Sequence, residues 1–439
     1  MSVFLTALIA LSSITVSAAE SRNRQILLCY DNGALVYSNL LKDGAKPDIP
    51  EEFRDTVKKI YDVSAEDFFD FEEAEAEKSE TYLTRLMSSM PDDKNYVISP
   101  LSLKMAMMMT ANGADVETQA ELLKAFDVEN LEGYNLSAKE LIESFDDAYT
   151  NSEVNIANSI WFNKDYYPNA KNAAFSNEFK NVISDCYFGD SGIVTDKNIV
   201  KTLNDWISRK TNGKIKNMVT KENLAPTGKL PLLALVNTIY MKARWLNEFE
   251  RLDTKKDIFT DIDGKENKID FMNQTSYFSY LNDGSTQIVE LPYENVLLSM
   301  YIVLGDAADF ENKVNEMKYS KVKLSMPKFE TDYFINFNET IENIGAKKLF
   351  EMNNPDFGSM VTGVTEPVRI ETVMQKAVVD VDEKGTEAAA ATVVGGAGGS
   401  ANRPDDELFE FKADKPFTYF IRDNSSGEIL FAGRYVKVE

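Results

Sequence analysis

One stretch near the C-terminus limits what this chain can become. Residues 383–410 begin Glu383-Lys384-Gly385-Thr386-Glu387 and continue through Ala388, Ala389, Ala390 and Ala391 to Thr392. A glycine-dominated segment, 395–399, follows, and then an acidic patch at Asp405, Asp406 and Glu407. Apolar, strand-like runs stand on both sides, at 377–381 before it and at 418–421 and 429–431 after it. A long connection without periodic pattern is usually functional or disordered. Alanine is the best helix former. Read as a strand, however, the segment carries Thr386, Ala388, Ala390, Thr392 and Val394 on one face, because side chains alternate with period two. That face is small and uncharged and can be buried; Glu387 falls on the other face and has to stay wet. By composition alone, a flexible Gly/Ala linker explains the segment equally well.

What the rest of the chain excludes is more definite. With 439 residues it is long enough for one large domain or two ordinary ones. It carries 71 acidic against 47 basic residues, a net charge of −24, which argues against nucleic acid and anionic membranes as partners. There is no histidine. That removes Ser-His-Asp and Cys-His triads, HExxH zinc sites and every His-ligated metal site. Carboxylate pairs remain, but among 71 acids any one pair is uninformative. The 395–399 glycines lack the lysine and the strand-to-helix context of a phosphate loop. Neither enzyme activity nor a metal or cofactor is expected. Two cysteines, Cys29 and Cys186, do not make a disulfide scaffold, and the sequence leaves their pairing open.

From the N-terminus, residues 1–19 read as a secretory signal, with an apolar core at 3–10 and small residues, Val16-Ser17-Ala18-Ala19, for cleavage. No later run is long and apolar enough to span a bilayer. Residues 20–63 form an extension, a partner-binding tail or a disordered segment, in which Pro47 and Pro50 break regular structure. Helix is expected from about Asp62 to Leu86. A short strand at 96–98 leads to a helix capped by Ser99, with Pro100 in its first turn and a methionine-rich face ending near Gly113. An acidic amphipathic helix is expected over 130–149, a buried strand over 156–162 and a helix over 335–344. Sequons at Asn135, Asn273, Asn338 and Asn424 fit a secreted glycoprotein.

The stretch 383–392, together with Phe411, Ala413, Asp414, Pro416 and Phe417, resembles the reactive-loop hinge of an inhibitory serpin and the strand that follows it. Three tryptophan-bearing strings occur in family order, 156–162 with Trp161, 203–215 with Trp206 and 235–245 with Trp245, and Met326-Pro327-Lys328-Phe329-Glu330 resembles the family's strand entry before a helix. The resemblance spans residues 64–439 and is nearest to secreted arthropod serpins, which often restrain haemolymph cascades. It implies an α+β fold of three β-sheets and eight or nine helices with an exposed loop at 383–410. It also implies a monomer that acts as a suicide substrate. An extracellular serine protease cuts the loop, and the acyl-enzyme is trapped covalently when the hinge inserts into the central sheet. The resemblance assigns the hinge to Glu383, Gly385, Thr386, Glu387, Ala388, Ala389, Ala390, Ala391 and Thr392. It places Trp245 in the breach at the top of the sheet, and Ser99, Ser102 and Asn237 in the shutter beneath its opening. Gln375 stands where the family carries a histidine and cannot titrate as one would. Counting along the loop as in the family puts the scissile bond at Gly399-Ser400, which suits an elastase-like enzyme. The alternative is Arg403-Pro404, bait for a trypsin-like one. A non-inhibitory serpin and a cysteine-protease inhibitor remain open. The helix over 130–149 is acidic where heparin-activated members are basic, so no heparin activation is expected.

Overall fold

The computed structural model describes residues 14–21, 24–31, 34–41, 80–147, 152–167, 169–225, 228–294, 297–351, 357–386 and 407–438. It divides into two compact units, residues 1–79 with 424–427, and residues 80–423 with 428–439.

In the first unit, Ile14–Ser21, Arg24–Asp31 and Ala34–Leu41 form a three-stranded antiparallel sheet in that order. Two of these strands lie in the 20–63 extension, where runs such as Ile26-Leu27-Leu28-Cys29-Tyr30 have strand propensity. The first overlaps the expected signal, so cleavage after Ala19 would remove most of it from the mature chain.

The second unit is a mixed α+β body. Among its described residues are nine α-helices and three sheets, of nine, six and two strands. The fold class read from the resemblance is therefore the one observed. Strands such as Leu298–Leu304 and Phe417–Asp423 are buried along their whole length, and most of their residues are apolar on both faces.

The six-stranded sheet positions the site. Its members are Ser152–Asn163 (β1), Asp190–Val194 (β2), Leu233–Arg244 (β3), Phe329–Asn336 (β4), Ile370–Asp382 (β5) and Gly385–Thr386 (β6). Their order across the sheet is β4-β5-β6-β3-β1-β2, and β5 also pairs directly with β3. Alternation splits each strand between two cores. Leu233, Leu235, Ile239 and Met241 of β3 join Val373, Ala377, Val379 and Val381 of β5 in the main core. Ala234, Val236 and Met374 join Trp161 and Trp206 on the other face.

Under the main-core face of β1 and β3 runs the helix Pro100–Ala111 (α1). Every residue of it except Lys104 is buried, as expected of a helix that is apolar all round. Ser99 caps it, its Oγ accepting the Ser102 N–H at 3.1 Å.

Four sequence expectations shift. The helix over 130–149 is Leu131–Asp147. The helix expected over 335–344 is Asn338–Asn343, because Ile335 and Asn336 stay in β4, paired with Gln375 and Met374. Here a sheet ladder outweighs local helical pattern. The strand at 377–381 is the end of a thirteen-residue strand whose earlier part is interrupted by polar residues. Of the helix expected over 62–86, Tyr82–Ser88 is seen; residues 62–79 lie outside the described residues.

Candidate functional site: the seam between β5 and β3

β5 and β3 run parallel and pair in step from Thr372 with Ala234 to Ala377 with Ile239. Beyond that point they part. The chain leaving β5 turns back into the gap as β6, antiparallel to both neighbours. Thr386 pairs with Val381 and Ala243, and Gly385 with Asp382 and Arg244. Two residues of a new central strand are thus already seated. Glycine is required at the first: its φ is +153°, and a Cβ there would stand 2.1 Å from the Ala243 carbonyl oxygen.

The seated residues are held by neighbours that the fold collects from distant segments. Thr386 is 1% exposed, and its Oγ1 shares a 2.6 Å hydrogen bond with the Tyr293 hydroxyl. Trp245 stacks on Tyr293 with centroids 4.6 Å apart and planes at 10°. The Trp245 amide donates to the Lys384 carbonyl at 2.9 Å, its indole Nε1 to the Asp382 carbonyl at 2.9 Å, and the Phe249 amide to the Glu383 carbonyl at 2.8 Å. The buried Glu383 carboxylate accepts from Lys328 Nζ at 2.8 Å and Thr254 Oγ1 at 2.9 Å. Burial works to raise its pKa, but the Lys328 ammonium and the hydroxyl outweigh burial and hold it below the ordinary carboxylate value.

Midway along the seam lies a buried polar cluster. Gln375 and Asn237 are paired across the ladder and so share a face. Gln375 Nε2 donates to Asn237 Oδ1 at 2.6 Å and to the Ser99 carbonyl at 3.2 Å, while its Oε1 accepts the Ser99 N–H at 2.7 Å. Asn237 Nδ2 donates to the Ser102 carbonyl at 3.1 Å, to Ser102 Oγ and to Asn158 Oδ1. The Asn158 Nδ2 has no partner among the described residues. An orphaned buried donor costs about 1–3 kcal/mol, so the cluster is under-satisfied as it stands.

The structure therefore brings together Ser99, Ser102, Asn237 and Gln375, and separately Glu383, Gly385, Thr386 and Trp245. Glu387, Ala388, Ala389, Ala390, Ala391, Thr392, Gly399, Ser400, Arg403 and Pro404 lie outside the described residues. Sequence reasoning missed Asn158, Lys328 as the Glu383 partner, Thr254 and Tyr293. Of these, only Asn158 left a signal, a carboxamide between the apolar Ile156-Ala157 and Ile160-Trp161-Phe162 of one strand.

Three sequon asparagines are built into the fold. Asn135 Nδ2 donates to Asn112 Oδ1 at 2.8 Å, Asn273 Nδ2 to the Asp253 and Phe271 carbonyls at 2.9 and 3.0 Å, and Asn338 Nδ2 to the Glu371 carbonyl at 2.8 Å. A glycan on any of these nitrogens has to compete with those bonds. Asn424 lies in the turn between Phe417–Asp423 and Ile429–Tyr435. Cys186 is half-buried on the helix Asn177–Tyr187, and burial raises its thiol pKa.

The family model described as Serpin (serine protease inhibitor) matches residues 77–438. The human leukocyte elastase inhibitor is 29% identical over 366 residues, covering 78% of this chain and 92% of that protein. Serine protease inhibitor 2 of Anopheles gambiae is 28% identical over 371 residues, covering 78% and 87%. Human and mosquito relatives thus stand at the same distance, and no arthropod affinity is singled out. Among solved structures, the thermophilic serpin tengpin in its native state superposes with a TM-score of 0.72 at 28% identity, covering 84% of this chain and 96% of that one.

Proposed function

This chain belongs to the serpin family, and from that premise we propose that it is a secreted suicide-substrate inhibitor of a serine protease, with an elastase-like enzyme as its target. The observation that carries the reading is β6. A strand that continues Thr386 in the same register passes Ala388 between Val379 and Met241, Ala390 between Ala377 and Ile239, and Thr392 between Gln375 and Asn237. Each of these neighbours faces the main core, so the small face of the segment would be buried and Glu387 would stay outside. Thr392 would replace the Gln375–Asn237 bond with its own hydroxyl.

The exchange is favourable. One parallel ladder is lost and two antiparallel ones are gained, the antiparallel pairing being slightly the stronger. On the order of ten added backbone hydrogen bonds contribute about 0.5–1.5 kcal/mol each. Glycines from 395 onward subtract about 0.5–1 kcal/mol apiece relative to alanine. The native form is then a kinetic trap with a more stable form beneath it.

The target rests on Gly399-Ser400, a bond for a small primary pocket, and the name of the human relative points the same way. Secretion rests on residues 1–19, with the sequons secondary to it. The acidic helix Leu131–Asp147 gives heparin no basic surface, and the protein acts as a monomer without nucleic acid or membrane.

Incubation of the full chain with an elastase, a chymotrypsin and a trypsin tests the reading. An SDS-stable complex with elastase and a released C-terminal fragment beginning at Ser400 is expected. A fragment beginning at Pro404 moves the bait to Arg403. Clean cleavage, with no complex and no gain in thermal stability, would falsify the inhibitor reading and leave a non-inhibitory serpin.

A further inference from the structure

At the end of the seam farthest from the hinge the register slips. Ile370 pairs with Leu233 and Thr372 with Ala234, so Glu371 is an extra residue on β5. A bulge of this kind leaves the extra residue outside the ladder. Side chains on both edges of β5 take up the slack. From the β4 side, Asn338 donates to the Glu371 carbonyl at 2.8 Å and accepts the Val373 N–H at 3.0 Å.

From the β3 side the traffic runs the other way. The Glu371 carboxylate crosses the seam and accepts the N–H of Leu232, the residue before β3, at 2.5 Å. It also accepts from the Tyr166 hydroxyl at 2.8 Å and from Arg369 Nε at 2.9 Å. Arg369 in turn donates to the Tyr166 hydroxyl. The Tyr166 ring carries Lys229 Nζ on its face, 3.3 Å from the centroid. One carboxylate therefore ties β5 to the start of β3 and to the segment that follows β1. Tyr166, Glu371 and Arg369 are only partly exposed, Glu371 at 23% and Arg369 at 18% of their side chains, and Leu232 is buried. Charge-assisted bonds of this geometry are about twice as strong as neutral ones.

We propose that Glu371 is a latch that governs how fast β5 and β3 separate, and through that rate how often an attacking protease is trapped rather than released. The inference rests on the strand-insertion reading above. Any strand that extends β6 has to part the ladder from Ala377 down to Ile370. The amide cluster at Gln375 and Asn237 opens first. The Glu371 bonds to Leu232 and Tyr166 open last, and nothing in an inserted strand replaces their charge. Glu371 acts on the seam and on no reacting atom, so it is a positioning residue.

The test uses the full chain as wild type, E371A, E371Q and Y166F. The last keeps the ring under Lys229 and removes only the hydroxyl, and Glu371→Gln keeps the volume, so neither depends on tolerance of a cavity. The probe is a synthetic peptide of residues 386–398 added to uncleaved protein. Its rate of annealing reports seam opening without any protease. Annealing is expected to be on the order of tenfold faster in E371A, with smaller gains in E371Q and Y166F, since a bond to a charged group is worth about a factor of ten. The native unfolding midpoint should fall while the midpoint of the loop-cleaved form stays at the wild-type value. Equal annealing rates in all four proteins overturn the latch, as does an equal fall in the native and cleaved midpoints, which marks a merely structural residue. If wild type neither anneals the peptide nor gains stability on cleavage, the insertion reading itself falls and takes the latch with it.

Discussion

At the hinge end, the β5–β3 seam is wedged open by Gly385 and Thr386; at the far end it is stitched shut from Glu371 to Leu232 and Tyr166. The contacts at the hinge end hold the incoming strand: Tyr293 on Thr386, Trp245 on Lys384 and Asp382, Lys328 on Glu383. Of these, only the Trp245 indole on the Asp382 carbonyl spans from the end of β3 to β5, through a neutral bond. Between the ends, the bond from Gln375 to Asn237 does join them, through neutral amides. Resistance to opening thus rises along the seam, from contacts that favour a third strand, through neutral bonds, to charged ones. On the proposed insertion reading, a sheet built this way would start to open easily and finish only when a strand supplies enough new bonds.

The strongest challenge to this contrast is a charge at the hinge end. Thr386→Arg places an unpaired guanidinium where 1% exposure now holds a hydroxyl, at a cost of about 3 kcal/mol or more. Nearly complete loss of SDS-stable complex is expected, with cleavage continuing; a wild-type ratio of complex to cleaved protein removes the hinge end from the mechanism. Next in size is the middle of the seam. Gln375→Leu strands the Ser99 N–H and the Asn237 carbonyl, and the native midpoint should fall by the equivalent of about 1–3 kcal/mol for each. Wild type, with an amide there, should show a level native midpoint from about pH 7 to pH 5.5. A steep fall that Gln375→Leu abolishes would show the site titrating by some other route.

The smallest effect sharpens the hinge end. Glu383 has its pKa held below the ordinary value of 4.5, so its stabilisation is complete above that value and is lost as pH falls through the depressed one. Because Lys328 is 38% exposed, the pair is worth less than about 1 kcal/mol. Glu383→Gln should therefore lower the native midpoint slightly at neutral pH, and the gap to wild type should close as the pH falls below the ordinary carboxylate value and through the depressed one. A gap that stays constant into acid assigns the contact to shape rather than charge.

Much of this site was legible before any coordinates. The small face of the 386–394 segment follows from period-two alternation, and Ser99 and Pro100 announce the start of α1. Tyr293 and Thr254 were not legible, because each is one of many ordinary residues until folding brings it beside the hinge from far along the chain. Glu371 was hidden among 71 acids. A carboxylate becomes particular only through what it faces, and the bulge that turns it across the seam is a property of two strands together.

The class of fold was read from a family resemblance; by itself, the sequence determined the absence of histidine chemistry and a loop segment with one small, uncharged face. Those properties are local: they depend on residue type and on spacing along one strand or helix. Tertiary structure decided that β6 is already seated, that the polar cluster leaves one donor unmet, and that the far end of the seam is charged. Each of these depends on register between strands distant in sequence, where a shift of one residue turns every side chain to the other face.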